Sequence, residues 1–222
     1  MRKDIHVRLT PDEVELARVF SYKSAPTQQA IEFGQKTTAE RGEGESIRDT
    51  WIGKIGELIA ARGVKMHFGI DVDLDFSYYP RGQWDDQDIL VNGWRIDVKA
   101  MRQGAKWFLM EWNKLCFRQQ YNNLSHAYIA VVSGWDRVKD MPTGEGWIKG
   151  VVSLDRMSRR YPTTKVLRKG EFIPGTNTRL QADNYGIRFE DLSDFDESFF
   201  YMTTHRPDGV IERFVNPYIE IQ

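Results

Sequence analysis

The stretch from Trp84 to Ala100, WDDQDILVNGWRIDVKA, constrains the fold more than any other part of the sequence. Two apolar-rich runs, Ile89–Val91 and Trp94–Ala100, are joined across the dipeptide Asn92-Gly93. Asn and Gly readily adopt the positive φ angles of a tight hairpin turn. The sequence therefore predicts an antiparallel β-hairpin at this point.

The second strand of this hairpin alternates apolar and charged side chains. Successive side chains on a strand point to opposite faces, so Asp97 and Lys99 share one face. A further carboxylate, Asp88, directly precedes the first strand. Two carboxylates and an ammonium in this arrangement have the chemistry to hold a divalent metal beside a scissile phosphate.

At these residues the sequence resembles the PD-(D/E)XK nuclease superfamily. Its pattern is an Asp, a variable spacer, then Asp or Glu, any residue, and Lys; here Asp88 is followed by eight residues and Asp97-Val98-Lys99. The resemblance covers residues 45–133. It implies an α/β fold with a restriction-endonuclease-like αβββαβ core around a mixed central sheet. The alternative interpretation is a solvated charged pair on an ordinary hairpin.

The chain is expected to form one domain overall, with decorations on both sides of the core. Residues 1–44 are assigned to an N-terminal helical cap, residues 45–133 to the nuclease core, and residues 134–222 to a β-rich C-terminal extension packed on it. The patterns predict helices over residues 10–22, 26–41, 46–62 (ending at Gly63) and 113–123. They predict strands, besides the hairpin, over residues 64–77, 107–112, 127–133, 146–154 and 184–192.

A third acid for the metal is sought on the helix that precedes the hairpin. Glu57 falls along a stripe of small residues, Gly53, Gly56 and Ala60, and it matches the Glu that the resembled family often places there. A helical wheel puts Glu57 away from the isoleucine stripe, so a solvated surface Glu is the alternative. Other acids also remain candidates to complete the site: Asp85, Asp86 and Glu111.

The resemblance implies Mg²⁺ or Mn²⁺ as cofactor, and carboxylate oxygens are the ligands that these cations prefer. Asp88, Asp97 and Glu57 are the expected catalytic and metal-binding acids, and the carbonyl of Val98 is an implied further ligand. Lys99 is expected to position or activate the attacking water and to stabilise developing negative charge.

The composition bears on partners and location. The 222 residues carry a net charge of -1, and one segment is rich in basic residues, which makes it the expected DNA contact, although a solvated face is the alternative reading. The basic residues expected to bind DNA are Arg156, Arg159, Arg160, Lys165, Arg168 and Lys169. The single cysteine excludes an internal disulfide and a Cys-rich zinc site. No apolar run is long enough for a membrane span, so no membrane partner and a cytoplasmic location are expected.

The expected activity is therefore a Mg-dependent endodeoxyribonuclease that hydrolyses phosphodiester bonds. It would be restriction-type, for which a homodimer is the usual assembly, or structure-selective. The alternative is a non-catalytic DNA-binding or interaction module that retains the nuclease-like core. The sequence contains no Walker A loop, no Gly-x-Gly-x-x-Gly and no Gly-x-Ser-x-Gly, so nucleotide and acyl chemistry have no motif to support them.

Overall fold

The computed structural model describes residues 4–28, 43–79, 87–120, 124–158 and 162–208, which form a mixed α/β fold. The helices are α1 (Pro11–Gln28), α2 (Glu43–Phe68), α3 (Trp112–Gln120), α4 (Leu154–Ser158) and α5 (Phe195–Thr204). The strands are β1 (Ile5–Arg8), β2 (Ile89–Val91), β3 (Trp94–Arg102), β4 (Trp107–Glu111), β5 (Ala127–Asp136), β6 (Met141–Ser153), β7 (Thr164–Leu167) and β8 (Asn184–Arg188).

The strands form two sheets. The five-stranded sheet has the order β1-β6-β5-β3-β2, and the three-stranded sheet has the order β4-β8-β7. The pair β3 and β5 is parallel, whereas the other pairs are antiparallel, so the larger sheet is mixed. The chain crosses between these parallel neighbours through β4 and α3, as a parallel pair requires.

The predicted hairpin is confirmed. Strands β2 and β3 pair with Ile89 opposite Ile96 and Val91 opposite Trp94. The turn residues Asn92 and Gly93 have φ angles of 46° and 86°. The local turn chemistry is therefore what fixes the register of the strand that carries the candidate site.

Helix α2 packs across the larger sheet at unusually short range. A Cβ built at Gly56 would lie 2.4 Å from the Cβ of Ala100 on β3, and one built at Gly63 would lie 2.3 Å from Ile148 on β6. The predicted C-terminal role of Gly63 is wrong, because the helix continues to Phe68 and needs this glycine for contact with the sheet.

The strand predicted over residues 64–77 is also wrong. Its first part is the last turn of α2, and residues 69–79 form no regular element. Their apolar side chains pack on the core without strand pairing: Ile70, Val72, Leu74 and Phe76. The alternating apolar residues of this segment therefore reflect an irregular chain that packs on the core, and they do not mark a strand of a sheet.

Other boundaries differ by smaller amounts. Helix α1 extends to Gln28, and most of the helix predicted over residues 26–41 lies outside the described residues. Strand β8 ends at Arg188, where the chain turns into a 3-10 helix over Phe189–Asp191. The first section also contains a strand that the sequence reading missed, since β1 pairs with β6 at the sheet edge.

Two apolar cores cover the two faces of the larger sheet. One contains Ile55 and Ile59 of α2 together with Ile96 and Val98 of β3 and Ile129 of β5. The other contains buried side chains from both sheets: Phe108, Met110, Tyr128, Ala130, Tyr185 and Ile187. The predicted burial of the apolar run from Ala127 to Ser133 is confirmed. Strand β3 thus packs against α2 through Ile96 and Val98, whereas the smaller sheet covers Tyr128 and Ala130 of the neighbouring strand β5.

In the described part of the chain, no helix combines the length and the apolarity that crossing a membrane would require.

Candidate metal centre

Asp88 lies where the pairing between β2 and β3 stops. The last backbone pair on this side joins Ile89 and Ile96, and beyond it the N–H of Val98 donates to Oδ2 of Asp88 at 2.5 Å. The carboxylate thus takes a ladder position that a backbone carbonyl would otherwise occupy. The N–H and C=O of a strand residue point to the same neighbour, so the Val98 carbonyl faces the edge that Asp88 occupies.

Asp97 and Lys99 form an ion pair on one face of β3, as the alternation predicted. Oδ2 of Asp97 lies 2.5 Å from Nζ of Lys99. Asp97 is only 2% exposed and stands opposite Tyr128 of β5, whereas the side chain of Lys99 is 32% exposed. The carboxylate is therefore held inside the protein, and the ammonium reaches from it toward solvent.

Glu57 is drawn into the same electrostatic cluster from α2. Its side chain is 13% exposed, so it is not a solvated surface residue. Burial, then the charges of Asp97 and Glu57, raise the pKa of Asp88 well above its usual range. Lys99 and the Val98 N–H act in the opposite direction without cancelling this effect. Asp97 and Glu57 therefore both lie close enough to Asp88 for their charges to act on it, and this repulsion favours an added positive charge at Asp88.

Lys54 is a charged neighbour that the sequence reading missed. It is 4% exposed, and its Nζ donates to Oε2 of Glu57 and, at 2.9 Å, to the carbonyl of Asp75. Nζ also lies 4.7 Å from the ring centroid of Phe20 and 5.1 Å from that of Phe76. The available signal was a lysine in the middle of the apolar run of α2, three residues before a glutamate.

The donor set fits a hard cation that retains waters. Asp88, Asp97 and the Val98 carbonyl supply oxygens, which Mg²⁺ and Mn²⁺ prefer. Within the described residues, however, no three His, Cys, Asp or Glu side chains form a ready-made metal site. The fit therefore rests on the buried Asp97 of β3, on Asp88 just before β2, and on the repulsion that raises the pKa of Asp88.

The remaining candidate acids are not placed in this cluster. Asp85 and Asp86 lie outside the described residues. Glu111 is at the end of β4 in the smaller sheet, where its carboxylate lies 3.9 Å from Nζ of Lys114. Its side chain is 16% exposed. The described contacts therefore associate Glu111 with α3.

The basic residues proposed for DNA contact divide by environment. Arg156 donates its guanidinium hydrogens to the carbonyl of Asp191 and, at 3.1 Å, to Oγ of Ser193, so it joins α4 to the segment after β8. Lys165, Arg168 and Lys169 are exposed. Arg159 and Arg160 lie outside the described residues. The exposed group is thus the part of the set that is accessible to a polyanion.

Comparison with known proteins assigns the chain to no family. No protein-family model matches the chain, and no similar protein was found among curated proteins.

Proposed function

We propose that this protein is a metal-dependent DNA endonuclease that hydrolyses phosphodiester bonds. The observation that carries the proposal is the placement of Asp88, whose carboxylate is bound to the backbone of Val98 beside the Asp97–Lys99 pair. A buried Asp97 and a partly buried Asp88 that repel each other, next to a partly exposed lysine, are suited to a bound cation and a phosphate.

Each side chain then has a defined task. Asp88 and Asp97 would hold Mg²⁺ or Mn²⁺ with the carbonyl of Val98. The chemistry that such a cation would supply here is neutralisation of the phosphate charge and a lower pKa of water. Lys99 is held at 2.5 Å by Asp97, and its partly exposed side chain would orient the attacking water and stabilise charge that develops on the phosphate. The packing of α2 on β3 and the Asp97–Lys99 ion pair hold this geometry in place before substrate binds.

The order of elements supports a restriction-endonuclease-like core. Helix α2 precedes the β2–β3 hairpin, and β5 returns parallel to β3 after α3. The third strand of the implied core, β4, belongs to the smaller sheet. In the proposed core, the third strand therefore pairs within the smaller sheet and does not extend the larger one.

The proposed substrate is DNA, cut in a restriction-type or structure-selective manner. The exposed lysines and arginine of the segment around β7, Lys165, Arg168 and Lys169, are the proposed phosphate contacts. A cytoplasmic homodimer would allow both strands of a duplex to be cut.

The proposal is tested by incubating purified protein with supercoiled plasmid, linear duplex, single strands and a branched junction. Each substrate is combined with Mg²⁺, Mn²⁺ or EDTA. The variants are Asp97→Ala and Lys99→Ala, and Lys106→Ala serves as the matched control because Lys106 is exposed and outside the cluster.

We expect discrete products that require the metal and are lost in the first two variants but not in the control. Cleavage retained by Asp97→Ala or Lys99→Ala would refute the assignment. DNA binding without cleavage of any substrate would favour a non-catalytic binding module instead. The substrate that yields products distinguishes the restriction-type from the structure-selective activity.

A further inference from the structure

Lys54 is held too firmly to act as a mobile surface charge. Its Nζ contacts Oε2 of Glu57 and the carbonyl of Asp75, and the aromatic rings of Phe20 and Phe76 lie within 4.7 and 5.1 Å. An ammonium has three N–H donors, and two of them are accounted for by these oxygens. The ion pair, the carbonyl and the two aromatic faces together hold the ammonium in this buried position.

The pair is also built into one element. Lys54 and Glu57 are three residues apart on α2, so the helix itself keeps them on neighbouring positions. The side chains are 5% and 13% exposed, and water therefore screens their attraction poorly. A cation that approached this oxygen of Glu57 would have to displace a buried, paired ammonium.

Among the described residues, two ammonium groups already lie within the cluster of acids. Lys99 is paired with Asp97, and Lys54 is paired with Glu57 and also interacts electrostatically with Asp75. In sites that bind two metals, a further divalent ion lies about 3.5–4 Å from the first and requires acids of its own.

We propose that Lys54 occupies, as a built-in cation, the place at Glu57 that a second divalent ion would take. The site therefore binds one divalent cation, on Asp88 and Asp97, and Glu57 acts through Lys54 as a positioning residue. This inference rests on the proposed function, because it concerns the same cluster of acids.

The test counts Mn²⁺ ions bound per chain, by titration calorimetry and by electron paramagnetic resonance of unbound Mn²⁺, on the full chain. The key variant is Lys54→Met, which keeps an unbranched apolar stem between the two rings. The matched control is Lys65→Met, since Lys65 is also on α2 and ion-paired, with Asp71, but is half exposed. The remaining variants are Glu57→Gln, Asp97→Ala and the double change Lys54→Met with Glu57→Gln.

We expect one Mn²⁺ per chain in the wild type and in Lys65→Met, and two in Lys54→Met. The double variant should return to one, because the second ion then lacks the Glu57 carboxylate. Glu57→Gln alone should keep one ion, with affinity reduced by at most about tenfold, as for an outer partner of a metal ligand. Asp97→Ala should bind none.

Two ions in the wild type, or a single ion in a folded Lys54→Met variant, would overturn the inference while leaving the proposed function intact. If circular dichroism shows that Lys54→Met does not fold, the counts for the wild type and Glu57→Gln decide, because loss of the ion in Glu57→Gln makes Glu57 a direct ligand. A wild type that binds no Mn²⁺ overturns the proposed function and this inference together.

Discussion

Two glycines on α2 provide a sharp test of how the helix is seated on the sheet. A Cβ at Gly56 would lie 2.4 Å from the Cβ and 3.4 Å from the Cα of Ala100, whereas one at Gly53 meets no other group within 4 Å in the described structure. Both residues are in the helix interior. The substitutions Gly53→Ala and Gly56→Ala therefore share a change in helix propensity but differ in packing.

The magnitude follows from these contacts. Replacing an interior helical glycine by alanine favours the helix by about 1 kcal/mol, so Gly53→Ala should raise the free energy of unfolding by up to that amount. At Gly56 the new methyl must move about 1 Å from Ala100 to reach an ordinary carbon contact of roughly 3.5 Å. The obstacle is a Cβ attached directly to a strand, which cannot rotate away. Overpacking of this kind costs about 1–3 kcal/mol.

The difference between the two variants isolates the packing cost, because their propensity gains cancel. For a domain of this size, about 1 kcal/mol shifts Tm by about 2–4 °C. We expect Gly53→Ala to melt above the wild type and about 2–12 °C above Gly56→Ala. Thermal unfolding by circular dichroism, with urea unfolding to obtain the free energies, makes the comparison.

Equal Tm shifts in the two variants, or a Gly56→Ala variant more stable than Gly53→Ala, would refute the close seating of α2 on β3. The same pair of variants also reports on the site, since Gly56 precedes Glu57 and Ala100 follows Lys99. A helix displaced at Gly56 moves Glu57 away from β3, so metal-dependent cleavage should fall in Gly56→Ala and stay unchanged in Gly53→Ala.

Three further outcomes are expected. Asn92→Gly keeps the left-handed turn but removes the side-chain amide that donates to carbonyls at the end of α5, among them that of His205 at 3.0 Å. Urea unfolding should therefore show a free energy of unfolding lower by about 1 kcal/mol. An unchanged free energy of unfolding would contradict this. The raised pKa of Asp88 means that the folded state retains a proton there that the unfolded chain releases near pH 4, so without divalent cations the wild type should lose stability as pH rises above about 4 through that raised pKa. Asp88→Asn should remove this part of the pH dependence, and a profile identical to that of the wild type would show that Asp88 does not cause it. Lys165→Ala should weaken DNA binding and lower the slope of log affinity against log salt by about 1, and an unchanged slope would remove Lys165 from the phosphate contacts.

The sequence was sufficient where local chemistry decides structure. Asn92-Gly93 sets the hairpin, and alternation along β3 places Asp97 and Lys99 on one face, so both features were predicted. Each depends only on residues within a few positions of one another. The buried strand β5 was recognised for a similar reason, because an uninterrupted apolar run of this length has few other solutions.

Predictions were less successful where the structure of a segment depends on contacts with residues far away in the sequence. Gly63 reads as a helix end, but Ile148, far along the chain, approaches it so closely that the helix continues through it. Similarly, the apolar residues after α2 alternate like a strand because they cover the core beside it, and no strand among the described residues pairs with them. Periodicity reports which side of a segment is buried and does not report what buries it.

The same distinction explains why Glu57 was hard to assign. A helical wheel considers only the residues of the helix itself, and on that basis it predicts that the side chain of Glu57 is exposed to solvent. In the structure its surroundings come from elsewhere: β3 lies beneath Gly56, and Lys54 is fixed by Asp75 and by aromatic rings of two other segments. The hairpin motif therefore supplies two acids, Asp88 before β2 and Asp97 on β3, and the ammonium of Lys99, while the charge balance around them depends on how closely α2 approaches the sheet. The electrostatic environment of these residues therefore depends on the close contact between Gly56 and Ala100 as well as on the motif.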